Sequence, residues 1–226
     1  MCKTIKILTI SVLLTATVQF TNGETGTVNK ASVHDLYTRL FPEENKPTYE
    51  AFVNCLEGFQ KLKTENMVAN SHIVTLIDYT KPSNVSRLWV IDMENETVVH
   101  NSLVAHGRNS GEVLPTKFSN TPHSLMSSQG FFITGESYVG KHGYSLRLDG
   151  AEPGINDLAR QRAIVIHSAQ YATTSFIQKY GRLGRSWGCP ALPPSVSKNI
   201  IDLIKEKSCI YIYSPDPDYA SKSDII

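Results

Sequence analysis

Arg87-Leu-Trp-Val-Ile-Asp-Met93, then Glu94-Asn95-Glu96, then Val98-Val-His-Asn-Ser-Leu-Val-Ala105: two apolar, β-branched runs flank a polar turn. That pattern reads as a β-hairpin. Runs of the same kind recur on both sides, at His72–Tyr79, Gly130–Thr134, Tyr144–Leu148, Ala163–His167 and Cys209–Tyr213. Each is rich in Val, Ile, Leu or aromatics and is bounded by turn residues. One late helix is predicted from Ser195 to Lys207, with Val196, Ile200, Leu203 and Ile204 on one side. Many short strands with one or two packed helices predict a mainly β sandwich or barrel.

Upstream of the strands the periodicity is helical. Ser32 and Asp35 form a capping box ahead of Val33, Leu36, Tyr37 and Leu40. Pro42 and Pro47 interrupt, and Thr48 caps a second helix carrying Tyr49, Phe52, Val53, Leu56 and Phe59. The expected organisation is a helical segment over residues 24–69, a strand-rich domain over 70–214 and a tail over 215–226. A chain of 226 residues suits one domain with such an appendage, and 41% hydrophobic residues exclude global disorder.

The first 23 residues read as a signal peptide. Lys3 and Lys6 precede the uncharged run Ile7–Val18, and Thr21-Asn22-Gly23 offers small residues for cleavage after Gly23. That run is too short to cross a bilayer. The protein is therefore expected to be exported to the periplasm or cell envelope, meeting the membrane only in transit. Cleavage leaves 20 basic against 21 acidic residues, with no cationic excess to recruit nucleic acid.

Export changes how the cysteines read. Cys2 leaves with the signal, and Cys55, Cys189 and Cys209 remain, an odd number in an oxidising compartment. Cys55 beside a helical stripe and Cys209 in a strand read as buried hydrophobes, bridged or not. Cys189, in Gly188-Cys189-Pro190, sits where no core can form. It is the thiol that needs a chemical explanation.

Three motif matches fail on context. Gly184-Arg-Ser186-Trp-Gly188 fits the G-x-S-x-G elbow, but every histidine precedes Ser186 and two prolines follow it. Ser195-Val-Ser-Lys198 fits S-x-x-K without its partner motifs. Gly135-Glu-Ser-Tyr-Val-Gly140-Lys141-His142 nearly fits a P-loop, but His142 replaces the Mg²⁺-binding hydroxyl and a strand follows. No nucleotide is expected there; the stretch reads as a glycine-rich hairpin with His142 as a substrate contact.

The surviving constellation is Ile164-Val-Ile-His167-Ser168 with Ser186-Trp187-Gly188-Cys189. A strand delivers His167 at its end, where an imidazole can activate a cysteine. The Ser168 carbonyl is the candidate acceptor for its second nitrogen. Gly188 permits close backbone approach, so amides near Gly188 and Cys189 are expected to face a developing oxyanion.

These residues resemble the L,D-transpeptidases with a YkuD-type catalytic domain. The shared signature is a strand-terminal histidine followed downstream by Ser/Thr-x-Gly-Cys. A closer likeness is to a branch with Gly135-Glu-Ser-Tyr, Gly140-Lys-His-Gly143, Ser-Leu-Arg-Leu-Asp149-Gly150 and Gly184-Arg-Ser-Trp-Gly-Cys-Pro190. The resemblance covers roughly residues 70 to 214. The common signature has His where Trp187 stands, and an aliphatic residue then Arg or Asn at Pro190-Ala191. It implies a YkuD-like fold, no cofactor and acyl transfer on peptidoglycan stem peptides. Cys189 would be the nucleophile and His167 the base, giving a 3→3 cross-link or, with water, carboxypeptidase activity. Arg147, Arg182 and Arg185 are candidates for the stem carboxylates, alongside His142, Ser186 and Trp187.

Other classes fit less well. An NlpC/P60-type endopeptidase places cysteine before histidine, the reverse of this order. A wall-binding protein without chemistry would be expected to have lost Cys or His. A zinc hydrolase using His106, His123, His142 and His167 lacks close ligand spacing.

Overall fold

The computed structural model describes residues 30–226, so the expected signal peptide lies outside the described residues. Two helices come first, α1 (Lys30–Leu40) and α2 (Tyr49–Thr64). Three strands follow, β1 (Ile73–Asp78), β2 (Leu88–Asp92) and β3 (Thr97–Ser102). After a long loop come the hairpin β4 (Gly130–Gly140) and β5 (Gly143–Gly150), then β6 (Val165–Ser168). A short 3-10 turn leads to α3 (Thr174–Tyr180), β7 (Ala191–Leu192), α4 (Pro194–Ile204), β8 (Cys209–Tyr213) and α5 (Tyr219–Lys222).

The strands form one eight-stranded sheet in the order β3-β2-β1-β8-β4-β5-β6-β7. The β1–β8 and β6–β7 pairs are parallel and the rest antiparallel. Ala105, just past the edge strand β3, exchanges backbone hydrogen bonds of 2.9 and 3.3 Å with Ala191 on the opposite edge. The sheet therefore curls nearly into a barrel, the mainly β fold expected.

Period-two alternation gives this sheet two apolar faces. On the first, Val74, Leu76, Trp89, Ile91, Phe131, Ile133 and Tyr211 meet Leu36, Tyr37, Phe52, Phe59 and Leu62 of the N-terminal helices. On the second, Ile77, Val90, Phe132, Leu146, Leu148, Ile166 and Ile210 meet Ile200, Ile201 and Ile204 of α4. Each such aromatic or aliphatic side chain contributes about 1.5–3 kcal/mol when fully buried. Helices α1 and α2 thus share one core with the sheet. They cover the first face over β1, β2, β4 and β8, and leave its β5–β6 end for other use.

Several boundaries move. α1 begins at Lys30, so Ser32 lies inside its first turn and is not the expected cap. Thr48 does cap α2, its hydroxyl accepting from the Ala51 amide at 3.3 Å. α4 stops at Ile204, because Glu206 and Lys207 take left-handed backbone angles. The stretch 135–142 extends β4 through a bulge between Thr134 and Ser137 and then turns, as a glycine-rich hairpin should.

Candidate active site

β6 is a strand of four residues. Ile164 and Ile166 point into the α4 core, so Val165 and His167 take the opposite face. His167 pairs in register with Ser145 of β5 and with Ala191 of β7. Cys189 lies two residues before Ala191, so the sheet itself brings the thiol loop alongside the imidazole strand. His167 is buried and Cys189 half-buried.

The His167 Nδ1 lies 2.9 Å from the Ser168 carbonyl oxygen. A carbonyl only accepts, so Nδ1 carries the proton and Nε2 is left with its lone pair. The His142 ring stacks on the other side of this imidazole, 4.5 Å between centroids at 26°. Burial pulls the His167 pKa below its ordinary value, the Ser168 bond opposes this, and His142 and Lys141 push it further down.

The Cys189 loop is built around Ser186. Its hydroxyl accepts the Gly188 amide at 3.0 Å and donates to the Cys189 carbonyl at 2.6 Å. The Ser186 backbone is tied to the preceding segment at both ends, its amide donating to the His106 carbonyl and its carbonyl accepting from Arg108. Gly188 has φ +129°, and a Cβ there would stand 2.8 Å from the Met126 carbonyl oxygen. That explains the glycine. For the Gly188 amide the oxyanion expectation needs correcting, since that amide already donates to the Ser186 hydroxyl.

The Cys189 Sγ lies 3.6 Å from the Ala163 carbonyl. Burial raises its pKa above the ordinary thiol value, while the Val165 amide and the charges of Arg162 and Lys141 act the other way. A raised thiol and a lowered imidazole are each neutral at rest, thiol and free base, not thiolate and imidazolium.

The sequence did not single out Arg162. Its guanidinium ties down the loop 119–128, donating to the Ser119 and Met126 carbonyls and to the Ser124 and Ser128 hydroxyls. It also passes within 3.5 Å of the position a Gly188 Cβ would take.

The other expected contacts divide. His142 and Trp187 join the site: Trp187 is 68% exposed, and Lys141 sits 5.4 Å above its ring. Arg147 instead pairs with Glu136 at 2.8 Å and stacks over Tyr138. Arg182 and Arg185 both pair with Glu112, at 3.1 and 2.5 Å. All three are thus engaged within the chain, although Glu112 serves two guanidiniums and Glu136 also pairs with Arg160. His106 is buried elsewhere, bonded to Arg87 and to the Gly111 carbonyl. Among the described residues no group of three or more His, Cys, Asp or Glu converges as a metal site.

The sheet thus sets the Cys189 loop next to the His167 strand, at the end of the first face that α1 and α2 leave uncovered. The family profile described as L,D-transpeptidase catalytic domain matches residues 43–213, and the chain belongs to that family. No curated protein sequence matches it. Among solved structures it is similar to an L,D-transpeptidase from Mycobacterium smegmatis, at 13% identity and TM-score 0.40, over 63% of this chain and 59% of that one. It is also similar to one from Xylanimonas cellulosilytica, at 13% identity and TM-score 0.40, over 81% and 90%. A third, from Stackebrandtia nassauensis, aligns at 12% identity and TM-score 0.38, over 80% and 76%. The chain thus spans under two thirds of the length of the first of these.

Proposed function

We propose that the chain is an exported peptidoglycan L,D-transpeptidase that cross-links stem peptides through Cys189. The observation that carries this reading is the His167 tautomer, whose free Nε2 belongs to the strand paired with the Cys189 segment. Nε2 takes the thiol proton as sulfur attacks the carbonyl between the L-centre of a diamino acid and the terminal D-Ala. The tetrahedral intermediate collapses, the imidazolium returns that proton to the departing amine, and D-Ala leaves. A thioester remains on Cys189. The side-chain amine of a second stem then attacks, His167 accepts its proton, and the 3→3 amide forms as the thiol is released. Water in place of the amine gives the carboxypeptidase product.

Burial serves this sequence at two points. A neutral thiol awaits substrate without reacting with other electrophiles, and a lowered imidazole is present as a base at neutral pH. Mass spectrometry of products after incubation with a disaccharide tetrapeptide tests the reading. Loss of D-Ala with appearance of a 3→3 dimer is expected. Unchanged substrate, or cleavage at any other bond, overturns it.

A further inference from the structure

We infer that Lys141 is the residue that recognises the terminal carboxylate of the donor stem. The inference rests on the transpeptidase reading above and identifies a substrate contact within it.

The scissile bond of an L,D-linked D-Ala terminus lies one residue from a free carboxylate. A site for it therefore needs a cation close to both the sulfur and the base. Two cations bear on Cys189, Arg162 and Lys141. Arg162 already donates to four oxygens of the loop 119–128. Arg147 is already held by Glu136, and Arg182 and Arg185 share Glu112, so each has a carboxylate in contact.

Lys141 differs from all of these. It stands at the β4–β5 turn beside His142, whose ring stacks on His167 at 4.5 Å. Its ammonium lies 5.4 Å from the centre of the Trp187 ring, two residues before Cys189. Among the described residues no carboxylate pairs with it. The lysine is thus bracketed by rings that flank the base on one side and the nucleophile on the other. A cation–π contact on an exposed ring is weak, about 0.5–1 kcal/mol, so it positions the ammonium without satisfying its charge. An incoming carboxylate replaces solvent at that ammonium and gains a charge-assisted hydrogen bond.

The test compares a tetrapeptide ending in free D-Ala with the same peptide ending in D-Ala amide. Wild type should favour the acid over the amide by about ten- to a hundredfold in kcat/KM, the worth of a hydrogen bond to a charged group. Lys141→Met should lose that preference, mainly through a higher KM for the acid; any change common to both peptides, from its charge near His167 and Cys189, cancels in the acid-to-amide ratio. Lys141→Arg should restore most of the preference. A Lys141→Met enzyme that keeps the preference, or loses the same factor on both peptides, overturns the assignment. Wild type that turns over neither peptide overturns the transpeptidase reading itself, and this inference with it.

Discussion

The imidazole of His167 is anchored by the carbonyl of Ser168, its own neighbour in the chain, at 2.9 Å. An acid in this position would favour the imidazolium by its charge; the neutral carbonyl fixes the tautomer and raises basicity by less than burial lowers it. With the burial around both groups, this makes the pair neutral at rest.

That charge state has a pH signature. The Cys189 thiol is held above its ordinary value and His167 below its own. Alkylation of Cys189 by iodoacetamide should therefore rise steadily with pH to a midpoint above the ordinary thiol value, without a shoulder at acidic pH. Acyl transfer, which needs the neutral imidazole, should keep its plateau down to below about pH 6.5 and then fall. Fast alkylation near pH 5 would mean a resting thiolate–imidazolium pair and contradict the neutral one.

Gly188→Ala probes the loop without touching a reacting atom. The new methyl must enter at φ +129° and 2.8 Å from the Met126 carbonyl, so the loop has to shift. We expect a folded protein with activity reduced at least tenfold, measured as D-Ala release beside a thermal melt. Wild-type activity would show that loop placement is not limiting.

Much of this was legible in the strands. Short runs rich in Val, Ile, Leu or aromatics and bounded by turn residues announce β1, β2 and β8, and Ile164-Val-Ile166 announces the strand that presents His167. β7 gave no such sign, because Ala191-Leu192 is two residues long and exists only through its pairing with β6 and Ala105. The arginines show a second limit. Arg182 and Arg185 have the chemistry to bind a carboxylate, and they do bind one, but it is Glu112, some 70 residues earlier. Arg162 carries no motif at all, since its role depends on how the loop 119–128 folds over Gly188. Local patterns reveal elements; which charges are already answered is decided by tertiary pairing.

Acid stability should depend on His106, which is fully buried. Its Nδ1 accepts from the Arg87 guanidinium at 2.7 Å, and its Nε2–H donates to the Gly111 carbonyl at 3.2 Å. A second proton would have to sit on Nδ1, against a cation. Burial first, then Arg87, lowers the pKa to about 3. Below about pH 6.5 the unfolded chain binds a proton that the folded chain refuses, so stability falls as pH drops from about 6.5 toward 3. The slope is at most about 1.4 kcal/mol per pH unit. Urea midpoints at pH 7.5 and 4.5 should separate further for wild type than for His106→Asn. Equal separations would remove His106 as the cause.

The central claim is that the sulfur of Cys189, and not the hydroxyl of Ser186, forms the covalent intermediate. Ser186 Oγ is engaged on both sides, by the Gly188 amide and the Cys189 carbonyl, so Ser186→Ala should loosen the loop and slow turnover without abolishing it. The direct measurement is intact-protein mass spectrometry after brief exposure to the tetrapeptide donor, on wild type, Ser186→Ala and Cys189→Ala. Wild type and Ser186→Ala should both carry the stem acyl group less D-Ala, and Cys189→Ala should carry nothing. An adduct on Cys189→Ala, with none on Ser186→Ala, would contradict the account.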